Sequence, residues 1–273
     1  MSFPVRASYY TELQLGIRRY LNRRRGLLSI IRAFRSIWLL GPWRKMFLRY
    51  HRKFNRNEPL PRYRDTLFDN LDVLTTVTNL ENSGYSLGLQ VPQAQIDEIL
   101  HFSECRKLTK HRNPHLTCAA VRRITYDPQI IEVASRYLGA EPILYQTDLY
   151  WTHPPSDELK RMRAVAQKSR FHYDVGDFRS LVIFIYLTDV DEDCGPHIVI
   201  EATHHNKSAW GLLNRFLNDE AAHKTYGDRI KTITGKRGAG FFEDLTCYHK
   251  HAIGTKKRLM LTITYMLQRS PIY

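Results

Sequence analysis

The chain has 273 residues, 43% of them hydrophobic and 12% aromatic, enough for one large domain with a true core. Its formal net charge is +14, and the stretch from Arg18 to Arg56 carries 13 Lys/Arg with no Asp or Glu. The excess charge therefore sits in one N-terminal segment, and the near-neutral remainder is not a body that coats nucleic acid. The four cysteines, Cys105, Cys118, Cys194 and Cys247, form no C-x-x-C pair, which predicts free thiols in a reducing compartment and argues against structural zinc. No apolar run reaches the roughly 18 residues of a membrane span. Met1 to Tyr10 lacks the pattern of a secretory signal. The expected location is cytoplasmic, with peripheral membrane contact as an option.

Residues 1–57 read as a basic amphipathic extension. Between 13 and 57, apolar residues (Leu27, Leu28, Ile30, Ile31, Phe34, Ile37, Trp38) recur among arginines in a helical rhythm. Gly41-Pro42 breaks the run, and a second basic-aromatic piece follows through Trp43, Phe47, Tyr50 and Phe54. Two readings stand side by side. The helices lie on an anionic membrane surface, or they pack their apolar face on the body and solvate their arginines. Residues 58–65 carry two prolines and read as a linker, which leaves 66–273 as the main domain.

Within that domain the spacing predicts a helix over 67–80, a turn at Asn82-Ser83-Gly84, a strand over 85–89 and a helix over 92–102 with Pro92 in its first turn. Residues 116–123 read as extended. Asp127-Pro128 opens a helix that Gly139 closes. A strand over 142–151 is followed by a polar loop, 152–170, placed to cover a site. Ser180 to Thr188 is a continuous apolar strand buried on both faces. Further strands are predicted over 196–201, 231–234, 241–248 and 258–268, with 206–225 as a helical insertion or lid. Helices first and closely spaced strands after predict a mainly β fold with flanking helices, a sandwich or jelly roll.

His172 and Asp174 stand two apart, so in a strand they share a face. An imidazole beside a carboxylate is two thirds of the 2-His-1-carboxylate triad of non-haem Fe(II) oxygenases, although an H-x-D pair is common by chance. The segment Phe241 to His251 offers two candidates for the second histidine, His249 and His251. Arg258 shares a strand face with Met260, Thr262 and Thr264, whereas Leu259, Leu261, Ile263 and Tyr265 read as core. An arginine facing a barrel interior needs an anion, which a dicarboxylate co-substrate would provide. An ion pair with a core carboxylate would satisfy it equally. Tyr150 and Gln146, two turns of the pleat apart, are candidate pocket residues towards co-substrate and substrate, respectively, or satisfied core residues. His204 and His205 read as backbone-orienting residues, and His101, His153, His197 and His223 as ordinary histidines.

At these residues the chain resembles the phytanoyl-CoA dioxygenase family of Fe(II)/2-oxoglutarate-dependent oxygenases, over roughly 66–268. Leu80-Glu81-Asn82-Ser83-Gly84-Tyr85 is similar to the family's opening acidic-x-Gly-Tyr segment. Asp127-Pro128 to Leu138-Gly139, the H-x-D, Leu187-Thr188-Asp189, Cys194-Gly195-Pro196 and Val199 to His204 follow in the family's order. The last differs from V-P-G-S-H by Glu201-Ala202-Thr203. Phe242-Glu243-Asp244, then His249-Lys250 and Arg258, resemble the distal motif. The resemblance implies a double-stranded β-helix, His172, Asp174 and His249 as iron ligands with His251 as the alternative, and Arg258 on the distal carboxylate of 2-oxoglutarate. It implies O2 as oxidant, release of succinate and CO2, and hydroxylation of a small-molecule or lipid-like substrate. A halogenase outcome would require loss of the carboxylate, which Asp174 retains. Two other classes compete: a non-catalytic jelly roll that binds through its basic arm, and an oxygenase directed at nucleic acid, which the segregated charge disfavours.

Overall fold

The computed structural model describes residues 31, 33–54, 57–106, 109–158, 170–205 and 207–268. Its centre is two antiparallel sheets. The larger, six-stranded sheet runs in the order β1 (Tyr85–Gln90), β9 (Ala239–Glu243), β5 (Ser180–Tyr186), β11 (Arg258–Met266), β3 (Ile143–Thr152) and β2 (Lys110–Arg112). The smaller, five-stranded sheet runs β7 (Phe216–Leu217), β4 (Phe171–His172), β10 (His249–His251), β6 (His197–Ile200) and β8 (Ile230–Ile233). Apart from the run β6, β7, β8 within the small sheet, consecutive strands from β3 to β11 alternate between the sheets, as a jelly roll requires.

The alternation of β11 separates two cores. Leu259, Leu261, Ile263 and Tyr265 join the helix-covered core of the large sheet, while Met260 faces the other way, into the space between the sheets with Val182, Phe184, Tyr186, Val199, Ile233 and Phe241. Every residue of β5 is buried, which is why its sequence is an unbroken apolar run.

Capping chemistry fixes the flanking helices. The helix Pro128–Leu138 begins at Asp127, whose carboxylate accepts from the backbone N–H of Gln129, and ends at Gly139 in the left-handed region. The helix Val73–Ser83 begins at Asp72, which accepts from Thr75, later than the 67–80 pattern suggested because Asp72 is the better cap. It ends at Gly84 (φ 82°), where a Cβ would stand 2.3 Å from the Cys247 sulfur and 2.6 Å from Nδ1 of His204. Pro92 caps the helix Gln93–Cys105 from just outside it. The expected extended run over 116–123 is instead the helix Ala119–Thr125. Its buried residues Ala120, Val121 and Ile124 lie on one helical face, a period that seven residues are too short to display in sequence.

Of the basic extension, residues 1–30 lie outside the described residues. Residues 33–40 are helical, Gly41 turns the chain, and the helix Arg44–Phe54 follows. Both rest on the body through arginines as well as rings. Arg44 donates to the carbonyls of Phe178 and His204 and stands 3.6 Å from the buried carboxylate of Asp244. Arg35 donates to the Gly176 carbonyl. Phe47 stacks on Phe178 with ring centroids 3.5 Å apart. Among the described residues no helix is long and apolar enough to cross a membrane.

Candidate metal centre

β10 is an inner strand of the small sheet, and His249 is the direct cross-strand partner of His172 on one side and of Val199 on the other. Side chains opposite each other on antiparallel strands meet on one face, and the two imidazole centroids are 4.6 Å apart. β4 ends at His172, so Asp174 lies beyond the strand that the H-x-D spacing suggests. Its backbone N–H donates to the carbonyl of Leu245 at 2.7 Å, which ties it to the chain leading into β10. One ligand atom from each of His172, Asp174 and His249 falls within 4.8 Å of the others. Nδ1 of His172 is 3.2 Å from the Arg170 carbonyl, and Nδ1 of His249 is 3.0 Å from the Cys247 carbonyl. A carbonyl only accepts, so each Nδ1 carries the proton and each Nε2 keeps a lone pair for a cation. Burial pushes His249 down to about 4, against the pull of Glu243, so it stands neutral as a ligand must.

His251 points elsewhere. Its Nδ1 accepts from Nη2 of Arg258 at 3.0 Å. Arg258 is 1% exposed and makes no ion pair among the described residues, and its Nε and Nη1 are buried without a partner. Burial pulls its pKa down while the nearby Tyr186 and Tyr150 oppose that. Tyr150 lies on β3 opposite Met260, and burial raises its hydroxyl pKa, with Arg258 acting against the rise. Gln146 donates to its strand neighbour Asp148.

Three residues with no assigned role in the sequence reading join the centre. His197 lies directly across the ladder from His251, fully buried, with Nε2 2.6 Å from the Glu243 carboxylate. Its ring stacks on His249 with centroids 5.5 Å apart. Burial pushes Glu243 up to about 8 and His197 down to about 3, so each tends to its neutral form. The other Glu243 oxygen is 3.8 Å from Nδ1 of His249. An acidic residue closing a strand directly after Phe241-Phe242 is the available sequence signal for Glu243. Arg215, from the insertion, reaches back to Asp174 (Nη2 to Oδ1, 3.2 Å) and to the Tyr173 carbonyl; nothing in the sequence pairs these positions. The insertion itself folds as the helix Ala209–Leu213, β7 and the helix Asp219–Tyr226, and β7 pairs with β4 so that Phe216 is opposite His172.

His204 is buried beside the Gly84 turn, where its Nε2 donates to the Glu81 carbonyl at 3.2 Å and its Nδ1 lies 3.5 Å from the Cys247 sulfur. His205 stacks on it. His101 contacts Cys105, and His153 and His223 are exposed. Of the loop 152–170, residues 159–169 lie outside the described residues.

No protein-family model matches the chain. No curated protein sequence matches it either. Solved structures do resemble it. EctD from S. alaskensis, solved with 2-oxoglutarate and 5-hydroxyectoine, is 17% identical with a TM-score of 0.51, over 78% of this chain and 84% of that one. SnoN, the non-heme alpha ketoglutarate dependent epimerase from nogalamycin biosynthesis, is 15% identical with a TM-score of 0.53, over 71% of this chain and 82% of that one. SnoN in complex with Fe3+, alpha ketoglutarate and nogalamycin RO is 13% identical with a TM-score of 0.52, over 71% and 83%. At these identities the likeness is one of fold: the jelly roll with flanking helices is shared.

Proposed function

We propose that this protein is an Fe(II)/2-oxoglutarate-dependent oxygenase that hydroxylates a small-molecule or lipid-like substrate, releasing succinate and CO2. One juxtaposition carries the reading. The three-residue ligand cluster and a buried guanidinium with two unpartnered nitrogens share the space between the sheets, linked through the rings of His197 and His251. A cation alone would explain the cluster. A dianion with a carboxylate at each end explains the arginine as well.

His172, Asp174 and His249 would hold the iron, which leaves coordination positions for a keto acid and O2. The bound iron and co-substrate supply the oxidising chemistry, and the protein supplies position and shelter. Arg258 would take the distal carboxylate through its unpartnered Nη1, with Nη2 held by His251. Burial within the jelly roll strengthens that pairing by lowering the local dielectric. Tyr150 sits beside Arg258 as a further polar group for the co-substrate, and Gln146 lies along the same strand on the substrate side. The Cys247 carbonyl, accepting from Nδ1 of His249, would fix the ring that ligates. The H-x-D…H…R order over 66–268 that resembles the phytanoyl-CoA dioxygenase family supports the same reading, as do the iron and keto-acid complexes named for the SnoN and EctD structures.

The test is anaerobic addition of Fe(II) and then 2-oxoglutarate to metal-free protein. The expected result is a visible charge-transfer band that needs both additions and is absent from His249→Ala. Admission of air with metabolite extracts should give succinate and a product heavier by one oxygen atom. A band of equal strength in His249→Ala would refute the assigned ligand set.

A further inference from the structure

We propose that the outward face of the basic extension is a docking surface for an anionic lipid bilayer. The observations are independent of the iron reading. On the helix Arg44–Phe54, Met46, Tyr50 and Phe54 recur every four residues and so form one stripe. Met46 is 70% exposed and Tyr50 60%. Phe34 and Trp38 from the preceding helical residues extend the stripe and are equally open. The face is not flat. A cleft of about 360 Å³, lined by Trp38, Trp43, Met46, Phe47, Tyr50 and Phe178, opens along it. A contiguous patch of aromatic and Met side chains is uncommon on a free surface and marks a binding face.

The charge around it selects the partner. Lys45, Arg49, Arg52 and Lys53 are exposed on the same helix, and none of them forms an ion pair among the described residues. The whole stretch from Arg18 to Arg56 contains no carboxylate. A second copy of the chain would set these cations against their own kind. The partner must therefore be negative at its surface and apolar just beneath, which describes an anionic bilayer: rings and Met enter the headgroup boundary while the long basic side chains reach the phosphates. The helix is also held in place for this. Arg44 and Phe47 occupy its inward side, and Arg35 ties the preceding helical residues to the Gly176 carbonyl, so the aromatic stripe stays turned outward.

The full chain should sediment with phosphatidylcholine vesicles containing about 30% phosphatidylserine and not with phosphatidylcholine alone, and added salt should release it. Met46→Asp with Tyr50→Asp places charges where the bilayer would be and should abolish binding while the melting temperature stays unchanged. Lys45→Gln and Arg49→Gln should each weaken binding roughly fivefold, the equivalent of about 1 kcal/mol per surface cation. The proposal is overturned by failure to bind phosphatidylserine vesicles, by binding that survives both sets of variants, by a monomer–dimer equilibrium that the Met46/Tyr50 pair abolishes, or by nucleic acid displacing the vesicles at physiological salt.

Discussion

Arg258 meets His251 at 3.0 Å through one terminal nitrogen and leaves its other two nitrogens buried without a partner. Arginine cannot shed its proton here, so the charge must be met by an anion. Arg258→Ala should therefore raise the 2-oxoglutarate requirement by about 10- to 100-fold, the loss of charge-assisted hydrogen bonds worth about 1.5–3 kcal/mol. Iron affinity should change little. Succinate formation measured against co-substrate concentration, beside metal titration, separates the two effects.

Arg215 holds one oxygen of Asp174 and leaves the other for a cation. In Arg215→Ala the carboxylate loses its orienting partner, and metal affinity should fall by about 10-fold, at the lower end of what lost outer-shell contacts cost. Competition with a metal indicator checks this. Because Arg215 lies in an exposed insertion, the melting temperature of the metal-free protein should hold.

Ala202 has φ 57°, one of two non-glycine residues with positive φ among the described residues. A left-handed alanine costs roughly 1–2 kcal/mol, and glycine in the unfolded chain gives back about 0.4–1 kcal/mol of that as entropy. Ala202→Gly should stabilise the protein by about 0.5–1 kcal/mol, read as an increased denaturation midpoint at unchanged slope.

His204 is pushed down to about 4 by burial, while Asp244 nearby pulls the other way. The unfolded chain binds its proton near 6.5. A depressed histidine contributes stability that is complete above that value and is lost as pH falls through the folded value. Unfolding free energy should therefore decline between about pH 6.5 and pH 4, with His204 responsible for roughly 3 kcal/mol of the decline. Chemical denaturation at each pH measures the slope, which should be shallower in His204→Gln.

Much of this was legible in sequence because period and punctuation carry it. The alternation of β11, the double burial of β5 and the Asp127–Gly139 helix all follow from local rules. The Ala119–Thr125 helix escaped because about two turns leave too little period to count. The meeting of His172 with His249 depends on a strand register 77 residues apart in sequence, which side-chain pattern alone does not set. Motif order supplied that link. Arg215 and His197 had no motif behind them, and only the return of the insertion and the β6–β10 ladder bring them to the site.

The pairing of Arg44 with Asp244 bears on where the folding unit begins. Asp244 is fully buried; burial pushes its carboxyl up, but Arg44, His204, Tyr137 and Thr246 together keep it below the usual carboxylate range. A shortened chain starting at the proline-rich segment 58–65 would take away the cation and leave that carboxylate charged inside the protein. Removing one partner of a buried pair costs about 3–5 kcal/mol, a large part of a typical domain's stability. The first turn of the Arg44–Phe54 helix is thus a keystone laid from outside: the shortest version of this protein that keeps its buried interior intact includes it.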